Sequence, residues 1–141
     1  MIRPKEIESD DYDFECVAVP SENGQIRYSW EYDEYFTQVL LTGPENVDTS
    51  RMDSGLPLFD NHPFDNSAKN TLGITVGYDF TDAGIIMQCK FGARADEALR
   101  ADVKGGIIKT VSTEGDITEY TIERKEGQLP IYYATMWQPI S

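Results

Sequence analysis

Residues that bind transition metals are scarce in this chain, which has one histidine and two cysteines among 141 residues. The cysteines, Cys16 and Cys89, are far apart in the sequence, and each has apolar or aromatic neighbours. A structural zinc site usually needs four histidine or cysteine ligands, and a redox pair usually has the spacing CxxC. We therefore expect no metal, no organic cofactor, and two buried, reduced thiols.

Basic residues are also few, with 12 lysines and arginines against 25 acidic residues and a net charge of −13. Nucleic-acid binding depends on neutralising phosphates with lysine and arginine, so this balance argues against nucleic acid and against an anionic membrane surface as partners. No apolar run approaches the ~20 residues of a membrane-spanning helix. The first residues are polar and lack the apolar core of a signal peptide. We expect a soluble protein.

The chain has enough apolar residues for one domain, with 40% hydrophobic residues. Residues 1–13 are acidic and are expected to be flexible, and residues 14–141 are expected to form a single domain. Apolar residues alternate over 72–80, and apolar residues at 85, 87, 89 and 91 share one face of the following segment, with the turn-forming sequence "TDAG" between the two segments. This pattern predicts a β-hairpin.

Other segments predict further strands and one helix. A hairpin is expected from "FECVAVP" and "QIRYSWEY" around the turn "SENG", and two short strands from "IIKTVSTEGDITEYTIER" around a turn at 113–116. The segment "DEYFTQVLLTGP" is expected to be a short helix or irregular, and "LPIYYATMWQPIS" a final strand. Apolar residues at helical spacing predict an amphipathic helix at about 95–104. The expected class is α+β, a mostly-β, barrel-like domain.

Two residues suggest nucleophilic chemistry. His62 lies in "GLPLFDNHPFDNS", and Ser112 ends the apolar run "GIIKTVS", which we interpret as a strand. A hydroxyl at a strand end is held accurately and stays accessible, and a histidine within hydrogen-bond reach would activate it. The alternatives are a hydrogen-bonded turn histidine and a serine bonded within its own turn.

Three stretches in order, Ser50–His62, Val103–Ser112 and Trp137–Ser141, resemble the conserved blocks of the prohead proteases of tailed bacteriophages. The resemblance implies an assemblin-like fold, a β-barrel ringed by helices. It also implies a serine endopeptidase with His62 as general base and Ser112 as nucleophile.

The same resemblance implies the setting and the partners. The enzyme would act inside the immature capsid, the prohead, in the cytoplasm of the host bacterium. Its substrates and partners would be segments of the scaffold and of the major capsid protein, and often the protease itself. Association with a second copy is left open.

The chain departs from the family pattern at two places. Glu114 occupies the position of a glycine in the pattern S-x-G, and its charge would be unfavourable beside an oxyanion unless it points away. Gly115, one residue later, is a displaced alternative. The family's late carboxylate aligns with Ser141, so we expect the domain to lack its C-terminal strand.

A third catalytic member, if there is one, would be another carboxylate. The candidates are Asp60, Asp65, Glu114 and Asp116, each of which has the alternative of a solvated turn charge. These departures leave a second function open: a catalytically inactive protease-fold component of the capsid or scaffold. An unrelated β-rich binding domain is the third reading.

Overall fold

The structure, a computed structural model, describes residues 2–4, 11–59 and 70–141, and nine strands in two sheets make up about half of these residues. The first sheet is antiparallel, in the order β1 (Ile2–Pro4), β2 (Phe14–Pro20), β7 (Gly84–Phe91), β6 (Thr71–Thr81) and β5 (Pro57–Phe59). The second has the order β3 (Gln25–Ser29), β4 (Glu34–Leu40), β9 (Ile131–Pro139) and β8 (Gly115–Glu123). Only its β4–β9 pair is parallel. The α+β, mostly-β class is confirmed, with a sheet curled into a half barrel.

Two helices and a short 3-10 turn complete the described elements: α1 (Ser50–Ser54), α2 (Glu97–Lys104) and the turn Pro44–Asn46. The helix predicted at about 95–104 is confirmed as α2. The Asp96 carboxylate caps it by accepting a 2.8 Å hydrogen bond from the Leu99 N–H, and Val103 faces the core. No helix within the described residues is both long and apolar enough to span a bilayer.

The long hairpin is confirmed as β6 and β7, joined at the pair Thr81↔Gly84. Gly84 has a positive φ of 127°, and a Cβ atom at this position would collide with the Val19 carbonyl oxygen of the neighbouring strand. Glycine is therefore required both by the turn and by the close approach of β2.

The first predicted hairpin is wrong. Strand β2 pairs with β1 and β7, and β3 pairs instead with β4, with Tyr28 opposite Tyr35. The segment 34–40, expected to be a short helix or irregular, is strand β4. Its inward-facing residues include Gln38, which is polar but buried, and which accepts a 2.9 Å hydrogen bond from the Tyr120 hydroxyl. Because this buried residue is polar, the sequence of β4 does not show a regular alternation of apolar and polar residues.

The strand predicted at "IIKTVS" is also absent from the described residues: 107–113 is irregular, and β8 begins at Gly115. Among the residues described before Gly115 in this segment, only Glu114 continues the β8–β9 hydrogen-bond ladder. Its N–H donates to the Ser141 carbonyl at 3.0 Å and its carbonyl accepts from the Ile140 N–H at 2.9 Å. Ser112 therefore does not lie at the end of a strand.

Part of the segment 1–13 is paired in the first sheet. Ile2–Pro4 forms β1, with Ile2 opposite Cys16. The Asp13 N–H donates to the Cys89 carbonyl at 2.8 Å, and the Asp13 carboxylate accepts from the Phe91 N–H at 2.8 Å.

The core is formed by apolar residues of both sheets and both helices. Cys16 and Cys89 are buried within it as free thiols, as predicted. A hydrogen bond with Cys16, together with burial, raises the pKa of Cys89 far above its usual range, so this thiol stays protonated. Trp137, near the C-terminal end of β9, is fully buried, and its indole N–H donates to the Leu41 carbonyl at 2.9 Å.

Candidate functional site

Ser112 lies in the irregular segment 107–114 between α2 and β8, and its immediate neighbours are anchored. Val111 packs against the core, and the Thr113 hydroxyl donates to the Ala18 carbonyl of β2 at 3.0 Å. The Ser112 side chain points outward between them and is exposed. The segment is thus fixed by side chains on both sides of the serine, without a strand ladder.

The Ser112 hydroxyl has no hydrogen-bond partner among the described residues. Serines in turns commonly bond to nearby backbone groups. The alternative that Ser112 is bonded within its own turn is therefore not observed. An exposed hydroxyl without such a bond is available to an incoming ligand or to a catalytic base.

Two depressions flank Ser112. One is an apolar groove of about 390 Å³ whose lining includes Phe59, Phe91, Leu99 and Ser112. The other is a cavity of about 370 Å³ between β2 and β4, with Gln38 and Ser112 in its lining. A segment bound along this surface would pass directly over the serine. Apolar walls with a few polar groups are the usual composition of ligand sites.

Three of the predicted site residues, His62, Asp60 and Asp65, lie outside the described residues. The described chain before them ends at Phe59, the last residue of β5, which lines the apolar groove beside Ser112.

The other two carboxylate candidates lie beyond the serine. Glu114 and Asp116 are exposed, and Asp116 is opposite Gln138 in the β8–β9 ladder. Their predicted role is to orient His62, which lies outside the described residues, so this role stays a prediction.

Gly115 has a packing role. A Cβ atom at this position would lie 2.7 Å from Trp137 Cε3 and 3.0 Å from the Gln138 carbonyl oxygen. Real Cβ contacts are longer, so only glycine fits against the indole. Packing against Trp137 therefore explains why position 115, one residue after the glycine of the family pattern S-x-G, is a glycine.

One cluster was missed by the sequence analysis. Aromatic side chains of β3, β4, β8, β9 and the β3–β4 turn line a cavity of about 430 Å³ on the second sheet. The available signal was the density of aromatic residues in "YSWEYDEYF". Within 11–59 and 70–141, no group of three or more His, Cys, Asp or Glu side chains is arranged to hold a metal ion.

The chain matches no protein-family model, no curated protein and no solved structure. A functional assignment therefore depends on the residues and on their geometry.

Proposed function

We propose that this chain is a serine endopeptidase, with Ser112 as nucleophile and His62 as general base, in an assemblin-like fold. Its substrates are scaffold and capsid-protein segments, and the protease itself, during maturation of a phage prohead. The supporting observation is the exposed Ser112 hydroxyl, which has no hydrogen-bond partner in the described residues, at a groove that Phe59 also lines. His62 is the third residue after Phe59 in the sequence, and its approach to the Ser112 hydroxyl is part of the proposal.

The reaction follows from these two roles. The Ser112 oxygen attacks the scissile carbonyl while His62 accepts its proton, and the imidazolium then protonates the leaving amine. Water activated by the same imidazole hydrolyses the acyl-enzyme. A carboxylate from Asp60, Asp65, Glu114 or Asp116 would orient the ring, although a dyad retains part of the rate enhancement. The net charge of −13 favours basic substrate segments.

The test is covalent labelling with a fluorophosphonate, followed by intact-mass analysis. We expect a single adduct that maps to Ser112 and is lost in Ser112→Ala and in His62→Ala. Ser21→Ala is the matched control, because Ser21 is an exposed turn serine that lines neither depression beside Ser112, and its variant should label normally. Circular dichroism checks that each variant is folded. Labelling of Ser112→Ala at the wild-type rate would refute the assignment.

A second function is favoured by Glu114, whose exposed position two residues after Ser112 is unfavourable for an oxyanion. In that case the chain is a catalytically inactive component of the capsid or scaffold with a protease-like fold. This second function predicts that the folded wild-type protein takes up no fluorophosphonate but cosediments with capsid shells. It also predicts that wild type and Ser112→Ala cosediment equally.

A further inference from the structure

Six aromatic rings meet around the turn between β3 and β4, at one end of the second sheet. They line the 430 Å³ cavity described above, which we call the aromatic cavity. The rings are those of Tyr28, Trp30, Tyr32, Phe36, Tyr120 and Tyr132. Phe36 and Tyr132 stack with centroids 3.9 Å apart, and Tyr120 contacts Tyr132 at 5.5 Å. Because Phe36 and Tyr132 are buried, the floor of the cavity is well packed.

The rim of the aromatic cavity is open. Trp30 is 89% exposed and Tyr32 is 53% exposed. An aromatic side chain gains most of its stabilising effect from burial, so a tryptophan left this open contributes little to folding. Clustered exposed aromatic residues typically mark a binding surface.

The charges around the aromatic cavity favour a cation. Among the described residues that line it, Glu31 alone is charged. Of two nearby arginines, Arg124 is paired with Glu34, to which it donates hydrogen bonds at 2.7 and 2.8 Å. Arg27 donates to the neutral Gln25 at 2.9 Å and keeps its charge near Tyr120, outside the lining. A cation is attracted by the faces of tryptophan and tyrosine rings. The net charge of −13 adds a long-range attraction.

The surroundings of the cavity suit an extended polypeptide. Strand β3 is an edge of its sheet, and no described residue pairs with its outer side, so its backbone groups can bind another chain. On β4 the face that carries Phe36 continues through Gln38 to Leu40, and both of these residues line the cavity beside Ser112. The span from Phe36 to Leu40 is about 13 Å. A small cation would occupy only one end of this surface.

We propose that the aromatic cavity binds the cationic side chain of a lysine or arginine in an extended segment of a basic partner protein. The ammonium or guanidinium group packs between the rings of Trp30 and Tyr32, near the Glu31 carboxylate. This site is separate from the proposed Ser112 chemistry, and its test does not depend on proteolysis.

The test uses the indole N–H signals of 15N-labelled protein in NMR spectra. The chain has two tryptophans, one 89% exposed and one fully buried, so Trp30 reports on the cavity and Trp137 is an internal control. The probes are the peptide acetyl-Gly-Gly-Lys-Gly-Gly-amide, the same peptide with norleucine in place of lysine, and choline. We expect the lysine peptide to shift the Trp30 signal in a saturable manner and to leave Trp137 unchanged. Added salt should weaken this binding.

Two tyrosine variants make a matched pair. Tyr32→Ala should weaken binding of the lysine peptide by about fivefold or more, the loss of one cation–π contact. Tyr133→Ala is the control and should bind as wild type, because Tyr133 follows Tyr132 on β9, so that its side chain is on the other face of the strand, and it does not line the cavity.

Three results would overturn the proposal. An equal shift with the norleucine peptide would mean that the cavity recognises apolar chains and not cations. Tighter binding of choline than of the lysine peptide would assign a small ammonium ligand. No shift of Trp30 up to the solubility limit of the probes would mean that the cavity does not bind cations. None of these results bears on fluorophosphonate labelling of Ser112, so the two proposals fail independently.

Discussion

Replacing Gly115 with alanine tests whether the start of β8 is fixed by contact with Trp137. The new methyl group would lie 2.7 Å from Trp137 Cε3, 3.1 Å from Cζ3 and 3.0 Å from the Gln138 carbonyl oxygen. Overpacking of a close-packed site usually costs about 1–3 kcal/mol. We expect Gly115→Ala to be destabilising within this range.

We expect a cost in the upper part of the range of about 1–3 kcal/mol, because neither Trp137 nor the Gln138 carbonyl can move easily away from the new methyl group. Trp137 is fully buried, and rotation of its ring would weaken the 2.9 Å hydrogen bond to the Leu41 carbonyl, which is worth about 1 kcal/mol. The Gln138 carbonyl is part of the backbone of β9, next to the residue opposite Gly115. A cost of about 2–3 kcal/mol follows.

Urea unfolding followed by circular dichroism measures this cost, and a double-mutant cycle with Trp137→Phe identifies its origin. The smaller ring removes the atoms nearest the new methyl group, so Gly115→Ala should cost about 1–2 kcal/mol less in that background. Gly24→Ala is the matched control, because its methyl group would lie at an ordinary 3.5 Å from Thr37 Cγ2. Additive effects of Gly115→Ala and Trp137→Phe would refute the proposed contact.

Two further variants test the second sheet and helix α2. Hydrogen bonds from Arg124 and Tyr132 lower the pKa of Glu34 to about 2, from an ordinary value of 4.5. The stabilisation is therefore complete above pH 4.5 and is lost as the pH falls towards 2. In Glu34→Gln the urea midpoint of unfolding should fall less steeply as the pH is lowered from 4.5 to about 2. The same pH dependence in wild type and variant would contradict the pairing of Glu34 with Arg124 and Tyr132. Asp96→Ala removes the cap of α2 and should lower the free energy of unfolding, measured with urea, by about 1 kcal/mol. Asp96→Asn should keep most of the capping stabilisation. An alanine variant as stable as the wild type would rule out the cap.

Local patterns were predictable from the sequence, and pairings between distant segments were not. The β6–β7 hairpin needs only alternation and a turn, and α2 needs only helical spacing and a capping aspartate. The partner of β2 is instead β7, about 70 residues later, as in the pair Cys16↔Met87. Strand β4 was missed because its buried Gln38 is satisfied by Tyr120, a partner that no local pattern reveals.

The candidate sites show the same division. Ser112 was singled out at the end of an apolar run and was assigned its role through a resemblance in linear sequence. The residue is exposed, and the catalytic roles of Ser112 and His62 stay predictions. The aromatic cavity was missed because its rings come from separate segments, with Phe36, Tyr120 and Tyr132 on three different strands. Only the first part, around Trp30, is dense in aromatic residues in the sequence itself.

The segment around Ser112 shows why an alternating pattern predicted a strand where none forms. Val111 and Thr113 point inward and Ser112 points outward, which is the alternation of any extended chain. Here the inward positions are fixed by packing of Val111 on the core and by the hydrogen bond of Thr113 to Ala18, and not by a backbone ladder. A shift of one residue would expose Val111, at a cost of up to about 1.5–3 kcal/mol, and would also bury the serine. The order Val-Ser-Thr therefore determines that the hydroxyl is exposed, whether or not a neighbouring strand is present.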